Sequence, residues 1–558
     1  MRPAACATVL FIALPGGCSL MKPPGVADLA IVNARVWTAA GTEAGALAIV
    51  GDRFAVVGTD TQIQRWVGPN TRIIDARQKR VVPGLVDCHI HLVGGGLQLA
   101  RLNLRDISSR DQFIAAVADA VRNTAPGQWI LGGRWSVESW PDPQPPRKEW
   151  LDPVTSQSPV LLSRMDGHQA LANSAALKLA DIDRDGPPDP EGGVIERDPE
   201  TGEPTGILKD AAMDLVSRHV PDPSQDALYA ALLRAMKHLN SLGVTGVHEV
   251  SGPEDLPVLT RAHRENALTL RVRKFLSVDD WREHLDTVKD FPIRDHRLTL
   301  AGFKGYMDGS LGSRTAYMYR PYADAAPDAD YPCGLLADQA DPPREFRHQI
   351  ETADGAGLQC VVHAIGDEAN HLLLDAYAAV ARKNGPRDRR HRIEHAQHLL
   401  PEDLPRFAQL GVVASMQPHH KADDGRYAET ALGRQRLHGS YAFRSLIESG
   451  ALVCFGSDWP VVTADPFKGI AAAVTARTLD GKTWIPEQSI SVADALKCYT
   501  SRAAAAGFNE AHLGTIEPGK LADLVILSQD ILNIPPENIQ HTTAITTIVA
   551  GQVVHDAR

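Results

Sequence analysis

The centre of this chain alternates short apolar segments with amphipathic ones, and this pattern limits its fold most strongly. Residues 110–125 and 224–243 place apolar side chains at i, i+3 and i+4 spacing, which is typical of helices with one buried face. Apolar runs such as 358–367 and 451–460 end in polar residues and indicate buried strands. Strand–helix alternation predicts an α/β protein with a parallel sheet and outer helices, most simply a (β/α)8 TIM barrel.

Both ends of the chain show a different pattern. Short alternating or apolar strands separated by Gly, Asp and Asn turns occupy residues 26–83, and the same character returns at 508–558. We predict one β domain built from both ends, because two separate β units, the alternative, would each have too few strands. The barrel is expected at 84–507, with an insertion after its first strand at about 100–230, where the sequence is polar and rich in Pro and Gly.

The first residues predict a targeting segment. Residues 1–18 contain one early arginine, an apolar stretch and small residues before Cys18, which is the layout of a secretory signal. Cys18 resembles a lipoprotein processing site, although Pro15 stands where that motif normally carries Leu. We expect export, to the periplasm or to a membrane through a lipid on Cys18. The alternative is a cytoplasmic enzyme, and the absence of a disulfide framework leaves it open.

Polar residues recur where the predicted strands end. These candidates are His89, His91, Lys304, His363, His395 and Asp458. Their spacing fits barrel strands one, four, five, six and eight, and the carboxyl ends of barrel strands open on one mouth. We therefore expect the six side chains to converge.

This set of residue types points to a metal site. Imidazoles and a carboxylate suit one or two Zn²⁺ ions, and Fe, Mn or Co ions are alternatives. A bound metal lowers the pKa of its water toward about 7, and Asp458 can accept the proton of that water. A structural role for the histidines as strand-end hydrogen-bond donors is the competing interpretation.

Eight stretches of the chain resemble the amidohydrolase superfamily, specifically its amidohydrolase-3 branch, which includes N-substituted formamide deformylase-like enzymes. They are "VPGLVDCHIHL", "MDGHQALANSAAL", "KGYMDGSLGSRTA", "VVHAIGD", "RIEHAQ", "SMQPHH", "FGSDWPV" and "LGTIEPGKLADLVIL", in this order from residue 82 to 527, and the resemblance extends from about residue 28 to 555. The resemblance implies a distorted (β/α)8 barrel with a β-sandwich built from both chain ends. It also implies hydrolysis of a C–N bond, in an amide, formamide or imide, at a mono- or binuclear metal centre.

The resemblance also assigns roles to individual residues. His89 and His91 would hold a first metal with Asp458, and His363 and His395 a second one. Lys304 falls where binuclear members carry a carbamylated lysine that bridges both metals. An unmodified ammonium has no lone pair, so without modification or deprotonation Lys304 would be a structural or substrate-contacting residue.

Further polar residues are predicted near the substrate on weaker grounds. His168 is expected to polarise a substrate carbonyl, with helix capping or packing as its alternative. The predicted substrate contacts are Asn173, Asp308, Arg314, Gln417, His420 and Trp459. For Arg314 the alternative is a pair with a neighbouring acid, and for Trp459 it is packing.

Composition narrows the partners and rival functions. The net charge of −11, without a basic stripe, argues against nucleic acid and leaves a small-molecule substrate as the expected partner, with a homodimer as a further option. A deaminase or a hydration enzyme could use the same metal centre, but "VVHAIGDEAN" lacks the H-x-E pattern of nucleobase deaminases. A non-catalytic exported binding protein is the weakest alternative, because all six candidate residues are present.

Overall fold

The structure is a computed structural model that describes residues 25–558, apart from 136, 138, 139, 143, 156, 165–168, 191, 192, 280, 294, 328 and 330. Its centre is a sheet of eight parallel strands that follow one another in chain order. The strands are Leu85–Ile90, Val244–Glu249, Arg271–Ser277, Leu298–Tyr306, Gln359–Ala364, Arg392–His395, Val413–Met416 and Val453–Phe455. A parallel bridge between Ile90 and Trp459 joins the two edges, so the predicted α/β barrel is confirmed.

Helices cover the outside of the barrel. They are Gln225–Ser241, Leu256–Arg264, Trp281–Asp290, Pro343–Gly355, Asp367–Asn384, Leu404–Leu410, Phe443–Glu448, Pro466–Thr475, Val492–Tyr499 and Ser501–Ala506. In the first of them, Ser224 caps the N-terminus by accepting from the amide of Ala227, and the predicted apolar stripe is buried. Shorter helices lie at Asp60–Ile63, Leu92–Gln98, Pro418–Asp424 and Ala428–Leu432.

The glycines after the first barrel strand allow close packing. A Cβ atom on Gly95 would lie 2.0 Å from the Trp459 ring, and one on Gly96 would lie 2.0 Å from the carbonyl oxygen of Ala231. Helix Leu92–Gln98 can therefore contact both Trp459, in the turn after the eighth strand, and helix Gln225–Ser241 only without these side chains.

Both chain ends form one β-sandwich. The first sheet contains Leu29–Val32, Ala46–Val50, Arg53–Gly58 and Arg72–Asp75. The second contains Arg35–Trp37, Glu43–Ala44, Arg80–Pro83, Leu524–Leu527, Ala544–Val549 and Gln552–Asp556. Leu524–Leu527 pairs directly with Arg80–Pro83, and Ile31, Leu47 and Ile526 share one apolar core. Two separate β units are therefore excluded.

An inserted unit lies between the first and second barrel strands. Its sheet contains Leu102–Asn103, Ile130–Trp135, Val160–Arg164, Gln169–Ala172, Gly193–Arg197 and Pro204–Asp210. Its helices are Arg110–Arg122, Lys148–Thr155, Ser174–Leu179 and Ala212–Ser217. Trp135 and Trp140 pack inside this unit, where each indole N–H donates to a backbone carbonyl.

Within the described residues no helix is long and apolar enough to cross a membrane. The predicted signal segment at residues 1–18, with Cys18, lies outside the described residues. Export, lipidation and a homodimer therefore stay predictions.

Candidate metal centre

The first barrel strand and the turn after the eighth bring two imidazoles and a carboxylate together. His89 lies on the first strand and His91 directly follows it. Asp458 Oδ1 lies 3.5 Å from Nε2 of His89 and 3.3 Å from Nε2 of His91. One ligand atom of each residue lies within 4.8 Å of the others, so the three side chains could hold a metal ion.

The backbone fixes Asp458 at this position. Its φ of 58° lies in the left-handed region, where a non-glycine residue is strained and persists only if its surroundings hold it. Its amide donates to the carbonyl oxygen of His89 at 2.7 Å. This bond ties the carboxylate to the strand that carries the imidazoles.

A second group forms on the other side of Asp458. His395, His420 and Asp458 also offer ligand atoms within 4.8 Å of one another. Asp458 Oδ2 lies 3.7 Å from Nε2 of His420, and the rings of His395 and His420 stack with centroids 6.1 Å apart. The sequence analysis predicted His420 as a substrate contact, whereas the structure places it among the candidate ligands.

Hydrogen-bond partners orient three of the imidazoles through their Nδ1 atoms, and two of these partners, Glu394 and Gln417, are buried. The pairs are His89 with Glu394 at 2.6 Å, His91 with Ser251 at 3.2 Å, and His395 with Gln417 at 2.7 Å. Because Glu394 and Gln417 present oxygen acceptors, the proton of His89 and of His395 lies on Nδ1 and the lone pair on Nε2. Gln417, predicted to contact substrate, is buried and orients His395 instead.

Glu394 is ionised because of a buried arginine. Burial alone would raise the pKa of this carboxyl, but Arg392 and His89 lower it to about 2. Arg392 Nε donates to Glu394 Oε1 at 2.7 Å, and Glu394 Oε2 accepts from His89. The sequence analysis missed Glu394. The signal was an Arg and a Glu two residues apart in a strand predicted to be buried.

The protonation states suit metal binding. Burial, and then the charge of Lys304, lower the pKa of His89, and the same two causes lower the pKa of His363 to about 3. Burial would raise the pKa of Asp458, but His89 and the neighbouring histidines hold it well below its ordinary value. Neutral imidazoles and an ionised carboxylate are the donor forms that a divalent metal requires, so these residues fit such an ion.

His363 and Lys304 lie next to the two groups. The His363 ring is 4.4 Å from the His395 ring, and its Nε2 donates to the carbonyl oxygen of Gly309 at 2.9 Å, which leaves the lone pair on Nδ1. Lys304 is buried, and its Nζ lies 4.4 Å from the centroid of the Tyr306 ring. Among the residues described, His363 belongs to neither group of converging ligand atoms.

Comparison with known proteins identifies the family of this chain. A family model described as the amidohydrolase family matches residues 72–555. The chain belongs to the amidohydrolase family. "Protein LONG AFTER FAR-RED 3" of Arabidopsis thaliana is 41% identical over 529 residues, covering 91% of this chain and 89% of that protein. "N-substituted formamide deformylase" of Arthrobacter pascens is 27% identical over 536 residues, covering 94% of this chain and 97% of that protein.

A solved structure supports the same assignment. An uncharacterized metal-dependent hydrolase from Pyrococcus horikoshii OT3 superposes with a TM-score of 0.74 at 27% sequence identity, covering 91% of this chain and 99% of that one. This amidohydrolase is therefore a hydrolase with a barrel whose His and Asp side chains could hold metal.

Two predicted substrate contacts of this amidohydrolase are engaged within the protein. Asp308 accepts from the amides of Tyr317, Ile365 and Gly366 at 2.8, 3.0 and 2.7 Å, which ties together the loops after the fourth and fifth strands. Arg314 pairs with Asp324 through Nε and a terminal nitrogen, so the alternative of a neighbouring acid is the observed one.

Asn173 and Trp459 are also structural in their contacts. Asn173 caps helix Ser174–Leu179, and its amide nitrogen donates to Thr155 and to the carbonyl oxygen of Ser158. The Trp459 ring packs 5.5 Å from the His238 ring, inside the barrel's apolar core. These contacts are structural, and a contact of either residue with the substrate stays a prediction. His168 lies outside the described residues.

A cavity of about 1240 Å³ lies at the end of the barrel that carries the candidate ligands, although none of those ligands lines it. Its wall includes Ser310, two residues after Asp308, and His419, which precedes His420. Loops after the fourth, seventh and eighth strands and parts of the inserted unit enclose it. Arg314, a predicted substrate contact, also lines this cavity. His419 was not predicted, because the cavity is formed by segments far apart in the chain.

Proposed function

We propose that this amidohydrolase cleaves a C–N bond of a small amide, formamide or imide with the help of one or two divalent metal ions, most simply Zn²⁺. The observation that carries the proposal is the position of Asp458, whose two oxygens face two separate pairs of histidines. The similarity to an N-substituted formamide deformylase along nearly its whole length supports the choice of bond.

Each residue of the site is assigned a role by its position. His89, His91 and Asp458 would hold one metal, and His395 and His420 would hold another with the second oxygen of Asp458. When bound, such a metal supplies a more acidic water molecule and polarises a substrate carbonyl. Asp458 is ionised at neutral pH, so it can accept a proton from water and return it to the departing amine.

The role of Lys304 depends on whether its side chain is modified. Its burial beside His89 and His363 supports the proposal that it is carbamylated, which would replace an ammonium by an anionic oxygen donor. If it keeps its ammonium, it repels a metal and serves as a donor to the substrate instead.

Metal content per chain tests this proposal. We expect one or two divalent ions in the wild type, fewer in His91→Ala, and no change in a His219→Ala control, whose side chain is exposed. Hydrolysis of N-butylformamide and N-butylacetamide should disappear on chelation and return with Zn²⁺. A protein that binds no metal after reconstitution would contradict the proposal, and unchanged metal content in Lys304→Ala would contradict bridging.

A further inference from the structure

The cavity at the carboxyl-terminal end of the barrel is lined by many basic side chains. They are Arg105, Arg134, Arg164, Arg314, Arg426, Lys468 and Arg477. Only two acidic residues, Asp423 and Glu537, line the same cavity among the residues described. A concentration of positive charge is unexpected in a chain with a net charge of −11.

Some of these cations are neutralised by the protein itself. Arg314 pairs with Asp324, and Arg426 pairs with Asp423. By contrast, among the described residues no carboxylate lies within salt-bridge distance of Arg105, Arg134 or Lys468. We call these three residues the anion-facing group.

A strand irregularity directs Arg134 to the cavity. Strand Ile130–Trp135 shifts its register against Val160–Arg164 between Gly133 and Trp135, and Arg134 itself has a φ of 65°. Bulges of this kind re-aim a side chain, and a strained non-glycine residue persists only where its surroundings hold it. The partly buried guanidinium thus lines the cavity instead of continuing the strand pattern.

Two members of the anion-facing group are close enough for their charges to interact. Burial, and then repulsion from Arg105, lower the pKa of Arg134. The Nδ1 atom of His419 is buried without a hydrogen-bond partner in the described structure. Unpaired cations that repel one another are stabilised when an anion joins them.

We infer that Arg105, Arg134 and Lys468 bind an anionic group on the substrate, a carboxylate or a phosphate, while the amide lies at the metal-binding groups. This inference rests on the proposed function, because it names the substrate class of the same site. His419 connects the two parts, since it lines the cavity and directly precedes His420.

Matched substrates test the inference on the metal-loaded full chain. N-formylglycine carries the anion, and N-formylglycinamide is its neutral counterpart. In Arg134→Gln we expect kcat/KM for N-formylglycine to fall about 10- to 100-fold, mainly through KM, as expected for a lost charge-assisted hydrogen bond. The value for N-formylglycinamide should stay within about twofold. Lys178→Gln, an exposed change of the same charge in the inserted unit, should alter neither.

Binding without turnover separates the two proposals. Calorimetric titration with succinate and with inorganic phosphate should show binding to the wild type that Arg134→Gln loses, and the tighter probe distinguishes carboxylate from phosphate. If the variant loses anion binding while neither formamide is hydrolysed, the anion site stands and the proposed function fails. If both formamides are hydrolysed, the comparison of kcat/KM decides the anion site. An equal fall in kcat/KM for both substrates in Arg134→Gln, or no fall for either, would contradict the anion site.

A second variant protects the test against misfolding. Arg105 and Lys468 are exposed, so the double change Arg105→Gln and Lys468→Gln should leave the fold intact. The same selective loss on N-formylglycine is expected, and an unchanged ratio between the two substrates in this variant would overturn the inference.

Discussion

Two buried arginine–carboxylate pairs occupy different ends of the barrel and differ in what the carboxylate does next. At the start of the third strand, Arg271 makes two bonds to Asp523 of the β-sandwich, at 2.6 and 2.8 Å. On the sixth strand, Arg392 binds one oxygen of Glu394, and the other oxygen accepts from His89. The first pair joins two domains, and the second passes its charge to a candidate metal ligand.

The two arginine–carboxylate pairs therefore serve different purposes at the two ends of the barrel. Residues at the amino-terminal face of barrel strands commonly support stability, and residues at the carboxyl-terminal face support the site. We therefore expect damage to the first pair to affect unfolding and damage to the second to affect metal binding. Substitutions at each pair and at its neighbours test whether effects on unfolding and effects on metal binding are separate.

Asp523→Asn should have the largest effect. The change leaves the Arg271 guanidinium, with a side chain only 8% exposed, without its counter-charge. Removing one partner of a buried pair costs about 3–5 kcal/mol of unfolding free energy. Chemical denaturation measures it, and metal content of the folded protein should stay unchanged. Loss of metal from the folded variant would contradict this separation. Glu265→Gln, in an exposed pair with Arg261, is the control and should show no measurable change.

Glu394→Gln should mainly weaken metal binding. The neutral amide can still accept from His89 Nδ1 but lacks the negative charge that makes His89 a stronger ligand, and loss of such a partner typically lowers metal affinity by about 10- to 100-fold. Competition with a chromophoric chelator measures this affinity. Affinity equal to that of the wild type would show that the Glu394 charge is not used by His89.

The pH dependence of unfolding of the metal-free protein should reveal the ionised state of Glu394. The pKa of Glu394 is about 2 in the folded protein, below its ordinary value of 4.5, so its stabilisation is present above pH 4.5 and is lost as pH falls toward 2. One proton corresponds to a slope of about 1.4 kcal/mol per pH unit. Denaturation between pH 5 and 3 should show a shallower slope in Glu394→Gln. Equal slopes would contradict the assignment.

Ser251→Ala should have the smallest effect. The Ser251 hydroxyl is the neutral partner of His91 Nδ1 at 3.2 Å, and a neutral hydrogen bond contributes about 0.5–1.5 kcal/mol. Metal affinity should fall less than in Glu394→Gln, in the same chelator assay. A larger fall in metal affinity than in Glu394→Gln would contradict the expectation that the charged partner contributes more than the neutral one.

The sequence predicted those parts of the site that follow from single strands. The barrel strand numbers of His89, Lys304 and His395 could be predicted because each residue ends its own apolar run. Glu394 was missed as a site residue, and His420 was predicted as a substrate contact and not as a ligand, because their roles depend on neighbours from other strands. The hydrogen bonds of Asn173 with Thr155 and Ser158 were not predicted, because they depend on how the inserted unit folds.

The position of strand Leu524–Leu527 also determines when the protein can fold during synthesis. It pairs with Arg80–Pro83, so this early strand keeps an unpaired edge until more than four hundred further residues have been made. Val81 and Val82 would be exposed along that edge in the growing chain, and exposed apolar edges favour aggregation. A ribosome-bound chain ending before residue 524 would therefore depend on chaperones more than the completed protein does.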